Sequence, residues 1–324
     1  MANVMSPRTI MKYTLEKALD VFNYPFFKLL RTAHEIHRKN FDEQSVQISD
    51  ILSVKTGGCS EDCAYCAQST RNGIKMPKQP MLDLETVLET ARKAKERGAS
   101  RFCMSASGRC LSSGEEFEKI CEMVRSVNAI GLETCVTLGF LTEAQATKLK
   151  KSGLNYYNHN VDTSPEFYSH IVSTRTIEDR IKTIEIVQKS GISVCSGGIV
   201  GMGETNEDRI KMLVLLANLE IQPRCVPLNK LVKISGTRVD DSNPIDDFDF
   251  VRMIALARIL MPTSYVKIAA GRNTLSESTQ ALCIFAGANA LFSSEKLLTV
   301  DNIKDNADRK LFNKLNLRIE NPQM

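Results

Sequence analysis

Short apolar or alternating segments recur along the chain, and each is followed by a stretch whose apolar residues have helical spacing. Eight such segments predict β-strands, near Ile51–Lys55, Arg101–Ser105, Glu133–Leu138, Leu154–Asn160, Ile192–Gly197, Cys225–Leu231, Ser264–Ala269 and Asn289–Phe292. Glycines stand where the intervening helices should end, at Gly98, Gly131, Gly153 and Gly191. Strands that alternate with helices indicate a parallel sheet, and eight units predict an α/β fold of the closed (β/α)8 TIM-barrel type.

The pattern also predicts how the chain is divided. No low-complexity segment or linker interrupts it, so we expect residues 1–324 to form a single domain. Residues 14–38 have amphipathic spacing, which predicts one long helix within an N-terminal extension of about residues 1–45. A short polar tail of about residues 300–324 is expected behind the barrel.

Within the predicted strands, the polar residues share one face. That face carries Arg101, Cys103 and Ser105, then Glu133, Cys135 and Thr137, then Asn158, Asn160 and Asp162, then Ser193 and Cys195, and finally Tyr265 and Lys267. In a barrel the apolar face meets the helices, so this polar set should face the lumen. Burying such groups is costly unless they are paired or bind something, which predicts that the lumen is the functional site. By the same parity, His159 should face outward as a packed, hydrogen-bonded histidine.

Composition and charge exclude several classes of partner. The formal net charge of +4 comes from mixed charges without a basic stripe, so neither nucleic acid nor a membrane is expected as a partner. No apolar run approaches the roughly 20 residues of a bilayer span. Ten cysteines without a secretory signal predict a cytoplasmic protein whose thiols serve as ligands.

The loop of residues 56–66, TGGCSEDCAYC, holds three of those cysteines, Cys59, Cys63 and Cys66. Thiolates suit iron–sulfur clusters and zinc. A four-iron cluster normally takes four cysteines, and a structural zinc site takes four ligands. Three cysteines therefore leave one metal coordination position open for a ligand that does not come from the protein. A zinc site completed by a distant His or Cys, or a set of surface thiols, remains as an alternative.

Three further thiols, Cys103, Cys135 and Cys195, lie on the polar faces of separate strands. A lone buried cysteine is usually a small hydrophobic residue, but three on one inner wall favour a second metal site. The remaining four cysteines are not grouped with other candidate ligands, and they are expected to be structural: Cys110, Cys121, Cys225 and Cys283.

The glycine-rich stretch Gly197–Glu204 lacks the Lys-Ser/Thr of a phosphate loop and the full Rossmann spacing. Close backbone approach to a small ligand and a plain tight turn both fit it.

Eight segments of the chain resemble, in the same order, the biotin synthase family of radical S-adenosylmethionine (SAM) enzymes. They are TGGCSEDCAYCAQS, RFCMSAS, LETCVTLG, YYNHNVDTSPEFY, VCSGGIVGMGET, VPLNKLVKISGT, MPTSYVKIAAGR and KLLTV. The resemblance runs from about residue 15 to about residue 315. Lipoyl synthase and other radical enzymes share the first loop but are not expected to share the later blocks.

The resemblance implies a radical SAM fold and a radical mechanism. Cys59, Cys63 and Cys66 would hold a [4Fe–4S] cluster whose open iron takes the amino and carboxylate groups of SAM. One electron would then split SAM into methionine and a 5′-deoxyadenosyl radical. The matched SAM contacts are Tyr65, Asn160, Asp162 and Arg180, with Asp162 on the ribose hydroxyls and Arg180 near the carboxylate.

The resemblance also implies a substrate and a sulfur source. Asn158, Asn160 and Asn229 match positions around dethiobiotin. Cys103, Cys135 and Cys195 match three ligands of a [2Fe–2S] cluster that donates the sulfur, which bridges a methyl and a methylene carbon. Two SAM molecules would be consumed for each biotin. A cytoplasmic homodimer and a reducing electron-transfer protein of the flavodoxin or ferredoxin type are implied as well.

One departure from the family concerns the second cluster. Its fourth family ligand is an arginine, and here that position is Lys267. The two residue types are not interchangeable, and a lysine must lose its proton to bind iron, although burial favours the neutral amine. Lys267 as a ligand, Lys267 as a charge partner and an altered or labile cluster all remain open. We expect a two-iron cluster to form, because all three thiols are retained. Residues 104–108 and 292–294 also diverge.

Three alternatives to a biotin synthase stay open at this point. The first is a non-catalytic iron–sulfur electron carrier or redox sensor, which has no need of a polar lumen. The second is a radical SAM enzyme that acts on another substrate. The third is a hydrolytic zinc barrel, which would need a general base and an inward histidine.

Overall fold

The computed structural model describes residues 13–111, 114–239, 241–303 and 305–320. Eight parallel strand positions form a closed barrel, as predicted. They are β1 (Ser45–Lys55), β2 (Arg101–Ala106), β3 (Glu133–Thr137), β4 (Tyr156–Asn158), β5 (Ser193–Cys195) with its continuation β6 (Gly198–Val200), β7 (Cys225–Lys230), β8 (Tyr265–Ile268) and β9 (Ala290–Phe292). Each position pairs with the next, and β9 pairs with β1 to close the ring.

Helices cover the outside of the barrel. They are α3 (Leu84–Glu96), α4 (Glu115–Ala129), α5 (Glu143–Lys151), α6 (Pro165–Ile171), α7 (Ile177–Lys189), α8 (Asn206–Ala217), α9 (Asp247–Leu260) and α10 (Glu277–Phe285). Capping boxes begin three of them, at Thr142, Thr176 and Thr205. The four glycines predicted to follow helices all have positive φ, between +75° and +96°. Local sequence signals therefore set these boundaries.

The strand faces divide as the alternation predicts. Phe102, Met104 and Val136 are fully buried in the layer between strands and helices. Cys103 and Cys135, on the opposite faces, belong to a separate cluster inside the lumen. The layer outside the sheet is thus the apolar core, and the lumen is left for polar groups and thiols.

The N-terminal extension differs from the prediction of one long helix. It forms two helices, α1 (Leu15–Phe22) and α2 (Phe26–Asn40), separated at Pro25. Proline disfavours helical geometry in the residue before it, which ends the first helix. Arg252 on α9 donates to the carbonyls of Phe22 and Tyr24 at 2.8 and 2.9 Å, which stabilises the break. Residues 1–12 of the predicted extension lie outside the described residues.

The C-terminal segment carries more structure than a polar tail. After the short antiparallel pair β10 (Lys296–Leu297) and β11 (Val300–Asp301) come helix α11 (Asp305–Leu315) and strand β12 (Arg318–Ile319). Strand β12 pairs in parallel with the start of β1. Residues 321–324 lie outside the described residues. Among the described ranges, none of the helices is both long and apolar enough to cross a bilayer.

A buried ion pair attaches α11 to the barrel. Arg272, which follows β8 and is fully buried, donates to both carboxylate oxygens of Asp308 at 2.6 and 2.8 Å. Arg272 also donates to the carbonyl of Phe292 at the end of β9. The pair therefore connects the C-terminal helix to two barrel strands.

We predict that Asp308→Asn lowers the free energy of unfolding by roughly 3 kcal/mol or more, because it leaves the Arg272 charge buried without a counter-ion. The matched control is Asp42→Asn, which breaks an ion pair with Arg318 whose side chains are 51% and 66% exposed. That control should cost less than about 1 kcal/mol. Urea unfolding of the apoprotein measures both, and equal losses would contradict the prediction.

Candidate active site

The three-cysteine loop follows β1 at the C-terminal face of the barrel, where this fold places its chemistry. Backbone hydrogen bonds fix its shape: Cys59 N donates to Gln68 O at 3.0 Å, and Cys66 N donates to Cys63 O at 3.0 Å. The side chain of Asn72 donates to the carbonyls of Cys63 and Cys66 at 2.9 and 2.8 Å. These hydrogen bonds within the protein therefore fix the conformation of the loop.

Two buried acids attach this loop to the segment after α6. Glu61 accepts hydrogen bonds from Thr174 and from Arg109. Asp62 accepts from the backbone N–H and hydroxyl of Ser173, at 2.9 and 2.5 Å, and from Thr174. Burial alone would raise the pKa of Asp62, but these hydrogen bonds outweigh it and hold the pKa well below its usual range. Asp62 thus stays ionised and anchors the loop.

The loop thiols differ in exposure. Cys63 is buried, and its Sγ accepts a hydrogen bond from Arg175 Nη2 at 3.0 Å. Burial raises the pKa of Cys63 to about 12, although Arg175 opposes the shift. Cys59 and Cys66 are partly exposed. Because metals bind the thiolate, Cys63 must release a proton when it takes a metal ligand position.

A cavity of about 220 Å³ opens beside this loop. All seven residues assigned from the sequence to the larger cluster and to SAM line it: Cys59, Cys63, Tyr65, Cys66, Asn160, Asp162 and Arg180. Asp162 has a left-handed φ of +68°, which aspartate tolerates better than most residues. Its Oδ2 accepts from Arg180 Nη2 at 2.6 Å, and Arg180 also donates to the Tyr168 hydroxyl at 3.1 Å.

A second cavity of about 150 Å³ lies deeper in the lumen. Its wall contains the other assigned residues: Cys103, Cys135, Asn158, Asn160, Cys195, Asn229 and Lys267. Asn158 and Asn160 line both cavities, so they lie between the two groups of thiols. The Oδ1 of Asn160 accepts from Gly197 N at 3.1 Å, and the Oδ1 of Asn229 accepts from Ala270 N at 3.0 Å. These bonds orient the two amides.

Two buried cations border the second cavity. Lys267 Nζ donates to Ser49 Oγ at 2.6 Å and lies 4.2 Å from the centroid of the Phe292 ring. Arg101 stacks on Tyr156, 3.5 Å from its ring centroid, and pairs with Glu133 at 2.8 Å. Within the described ranges, its Nη1 has no hydrogen-bond partner. A buried, unpaired N–H in a cavity lined by thiols fits an anionic or sulfur acceptor, as an iron–sulfur cluster would supply.

His159 keeps part of its predicted placement. Its side chain is buried, and its ring centroid lies 6.3 Å from that of Tyr157, two residues earlier in the chain, and 5.8 Å from that of Phe140. The residue also lines the first cavity, and its Nε2 has no hydrogen-bond partner among the described residues. Burial and the nearby Arg180 and Arg175 hold its pKa well below the ordinary value, so the ring stays neutral.

Cys225 was expected to be structural, and the structure places it with the lumen thiols instead. It is fully buried and belongs to the same cluster as Cys103, Cys135 and Cys195. The signal was present in the sequence: Cys225 has the same strand parity as Asn229, which was assigned to the lumen.

The glycine-rich stretch serves the packing of the protein itself. A Cβ added at Gly197 would come within 1.9 Å of the Pro227 carbonyl oxygen, and one at Gly198 within 2.1 Å of the Met212 sulfur. Glu204 closes the loop by accepting from the backbone N–H groups of Gly201 and Met202. Contacts within the protein therefore leave no room for a side chain at Gly197 and Gly198.

A single metal ion needs donor atoms that converge on one point, at about 2.3 Å for zinc–thiolate bonds. In the part of the chain that the structure describes, no three His, Cys, Asp or Glu side chains converge in this way. The thiols are instead grouped at two places, on the loop and across the lumen. Iron–sulfur clusters spread their cysteine ligands over several metal atoms, and this donor set fits them.

Comparison with known proteins agrees with this geometry. Residues 53–217 match the Radical SAM superfamily, and residues 227–318 match the Biotin and Thiamin Synthesis associated domain. The biotin synthase of Agrobacterium fabrum is 52% identical over 94% of this chain and 90% of its own length. The biotin synthase of Lawsonia intracellularis is 50% identical over 94% of this chain and 96% of its own length.

Solved structures agree at the level of the fold. Methylornithine synthase superposes with a TM-score of 0.80 at 16% identity, covering 95% of this chain and 94% of its own. HydG, a maturase of the [FeFe]-hydrogenase, gives a TM-score of 0.81 at 15% identity, covering 97% of this chain and 73% of its own. At half identity over nearly its whole length, the chain belongs to the biotin synthase family within the radical SAM superfamily.

Proposed function

We propose that this chain inserts sulfur into dethiobiotin to form biotin, with SAM as the radical source. The observation that carries the proposal is the pair of thiol-lined cavities with Asn158 and Asn160 as a shared wall. A substrate held at that wall would contact the SAM site on one side and the lumen thiols on the other. Family membership supplies the reaction class, because radical SAM proteins use a [4Fe–4S] cluster and SAM.

The chain offers suitable ligands for both inorganic groups. The loop thiols Cys59, Cys63 and Cys66 would hold the [4Fe–4S] cluster, and Cys103, Cys135 and Cys195 would hold three positions of a [2Fe–2S] cluster. When bound, the first group supplies the electron that cleaves the SAM sulfonium, and the second supplies the sulfur.

The residues around the first cavity would bind and orient SAM. Asp162 accepts hydrogen bonds and is suited to the ribose hydroxyls, while Arg180 is a cation suited to the carboxylate. Arg180 now pairs with Asp162 at 2.6 Å and is buried, so its guanidinium is already oriented. Tyr65 and Asn160 complete the assigned SAM contacts on the same wall.

Three amides would orient dethiobiotin. Asn158, Asn160 and Asn229 carry both donors and acceptors, which match the N–H and C=O groups of a ureido ring. Asn158 Nδ2 donates to Thr137 Oγ1 at 3.0 Å, and Asn229 Nδ2 donates to the Gly198 carbonyl at 3.0 Å. Because the protein orients the amides before the substrate arrives, little side-chain entropy is lost on binding.

The wider assignments are proposals of the same kind. The barrel and the C-terminal segment would form one domain, since β7 to β9 and β12 all join the sheet that begins with β1. We also propose a homodimer, a flavodoxin- or ferredoxin-type electron donor, and a cytoplasmic location. The ten free cysteines support a reducing compartment.

We predict that anaerobic incubation of the reconstituted protein with dethiobiotin, SAM and a reductant yields biotin, methionine and 5′-deoxyadenosine. Mass spectrometry measures all three products. The control is Cys63→Ala, which removes a loop ligand and should abolish SAM cleavage. If 5′-deoxyadenosine accumulates without biotin, the chain is a radical enzyme with another substrate. If SAM is not cleaved at all, the chain is an electron carrier or redox sensor.

We further predict that Asp162→Asn weakens SAM binding by roughly 10- to 100-fold, since a hydrogen bond to a charged group contributes about 1.5–3 kcal/mol. Asparagine tolerates the left-handed φ, so the backbone should not change. Asp20→Asn, at an exposed position on α1, is the control. Anaerobic equilibrium dialysis measures the dissociation constant, and an unchanged constant in Asp162→Asn would contradict the assignment.

A further inference from the structure

The lumen holds a fourth thiol beside the three that the family resemblance assigns to the small cluster. Cys225 begins β7 and lies directly opposite Cys195 across the β5–β7 pairing. Cys103 and Cys135 likewise lie opposite each other across the β2–β3 pairing. All four cysteines belong to one buried cluster inside the lumen. The inner wall therefore carries a thiol row contributed by β2, β3, β5 and β7.

Lys267, at the position of the family's arginine ligand, is engaged by other groups. Its Nζ donates to Ser49 Oγ at 2.6 Å and lies 4.2 Å from the centroid of the Phe292 ring. Both neighbours belong to the protein, so the amine of Lys267 already has a hydroxyl and an aromatic ring as its partners.

The chemistry of the ligand set points the same way. Two-iron clusters are ordinarily held by four cysteine thiolates, and the soft thiolate suits such clusters better than an amine. Four thiolates leave the cluster anionic, which is costly in a buried site without counter-charges. Arg101 and Lys267 provide two buried basic side chains at the same cavity, and Arg101 Nη1 has no hydrogen-bond partner in the part of the chain that the structure describes.

We propose that Cys225 is the fourth ligand of the two-iron cluster and shares an iron atom with Cys195. Lys267 then acts as a charge partner and does not bind iron. On ligation, Cys225 releases its proton to solvent, as any cysteine ligand does. The inference rests on the proposed function only in assuming the small cluster, and it requires no biotin to be formed.

The test uses the 324-residue chain with the loop thiols Cys59, Cys63 and Cys66 changed to alanine, so that bound iron reports the lumen alone. This triple-alanine variant is the parent. Four further substitutions are introduced into it one at a time: Cys225→Ala, Cys225→Ser, Lys267→Met and the control Cys283→Ser. Cys283 is as fully buried as Cys225 but lies on α10, outside the thiol row. After anaerobic reconstitution, iron and sulfide per chain and the visible absorption spectrum are measured.

Cys225→Ala should weaken iron retention by more than about tenfold, since even the loss of a residue that only supports a ligand costs roughly 10- to 100-fold in metal affinity. Cys225→Ser should retain part of the iron with a shifted absorption spectrum, because an oxygen replaces sulfur. Lys267→Met should lose clearly less iron than Cys225→Ala, because it removes a charge partner and not a ligand. Cys283→Ser should keep the iron content of the parent. Melting temperatures of the apoproteins check that each variant folds.

A second measurement does not depend on the folding of any variant. Pulsed electron paramagnetic resonance of the reduced cluster in the parent should show no directly bonded nitrogen. The proposal is overturned if a bonded nitrogen is found there and disappears in Lys267→Met. It is also overturned if Cys225→Ala keeps the iron and spectrum of the parent, or if the parent binds no two-iron cluster. Biotin formation is measured separately, so failure of the proposed function remains distinguishable.

Discussion

The structure depends on one constraint: a closed parallel barrel turns alternate side chains of every strand into a common lumen. Seven of the ten cysteines lie either on the wall of this lumen or on the loop at its C-terminal mouth. The apolar halves of the same strands fill the layer beneath the helices, which stabilises the barrel while the lumen carries polar groups. The fold therefore separates the residues that stabilise the protein from those assigned to chemistry.

A lumen with so many polar groups is stable only when its charges are compensated. Arg180 pairs with Asp162, and Arg101 pairs with Glu133 and stacks on Tyr156. Lys267 has the hydroxyl of Ser49 and the ring of Phe292 as its neighbours. Among the described residues, Arg101 Nη1 finds no hydrogen-bond partner, and Arg101 lines the same cavity as the thiols. The basic groups on this wall favour the binding of anionic groups in the lumen.

Much of this arrangement could be predicted from the sequence, because period-two alternation and helix-ending glycines are local signals. The lumen positions of Cys103, Cys135 and Lys267 followed from parity within each strand. The break at Pro25 was missed because the apolar spacing continues across it. The unpaired Nε2 of His159 was not predicted, because strand parity indicates a face and not the hydrogen-bond partners that the described residues offer there.

Cys225 shows a different limit of sequence analysis. Its parity with Asn229 indicates that it faces the lumen, but the sequence does not show which thiol lies beside it. The register of β7 against β5 identifies that neighbour as Cys195. Registers between strands that are distant in sequence depend on the closed sheet as a whole. Ligand sets that span several strands are therefore less predictable than those within one loop.

The proposed function requires one barrel to bind two separate iron–sulfur clusters, one at the mouth and one inside the lumen. Anomalous diffraction at the iron absorption edge, from crystals of the anaerobically reconstituted protein, tests it most directly. The account predicts two groups of iron peaks, one beside Cys59, Cys63 and Cys66 and the other beside Cys103, Cys135 and Cys195. A single group of peaks, or iron bound outside the barrel, would contradict it.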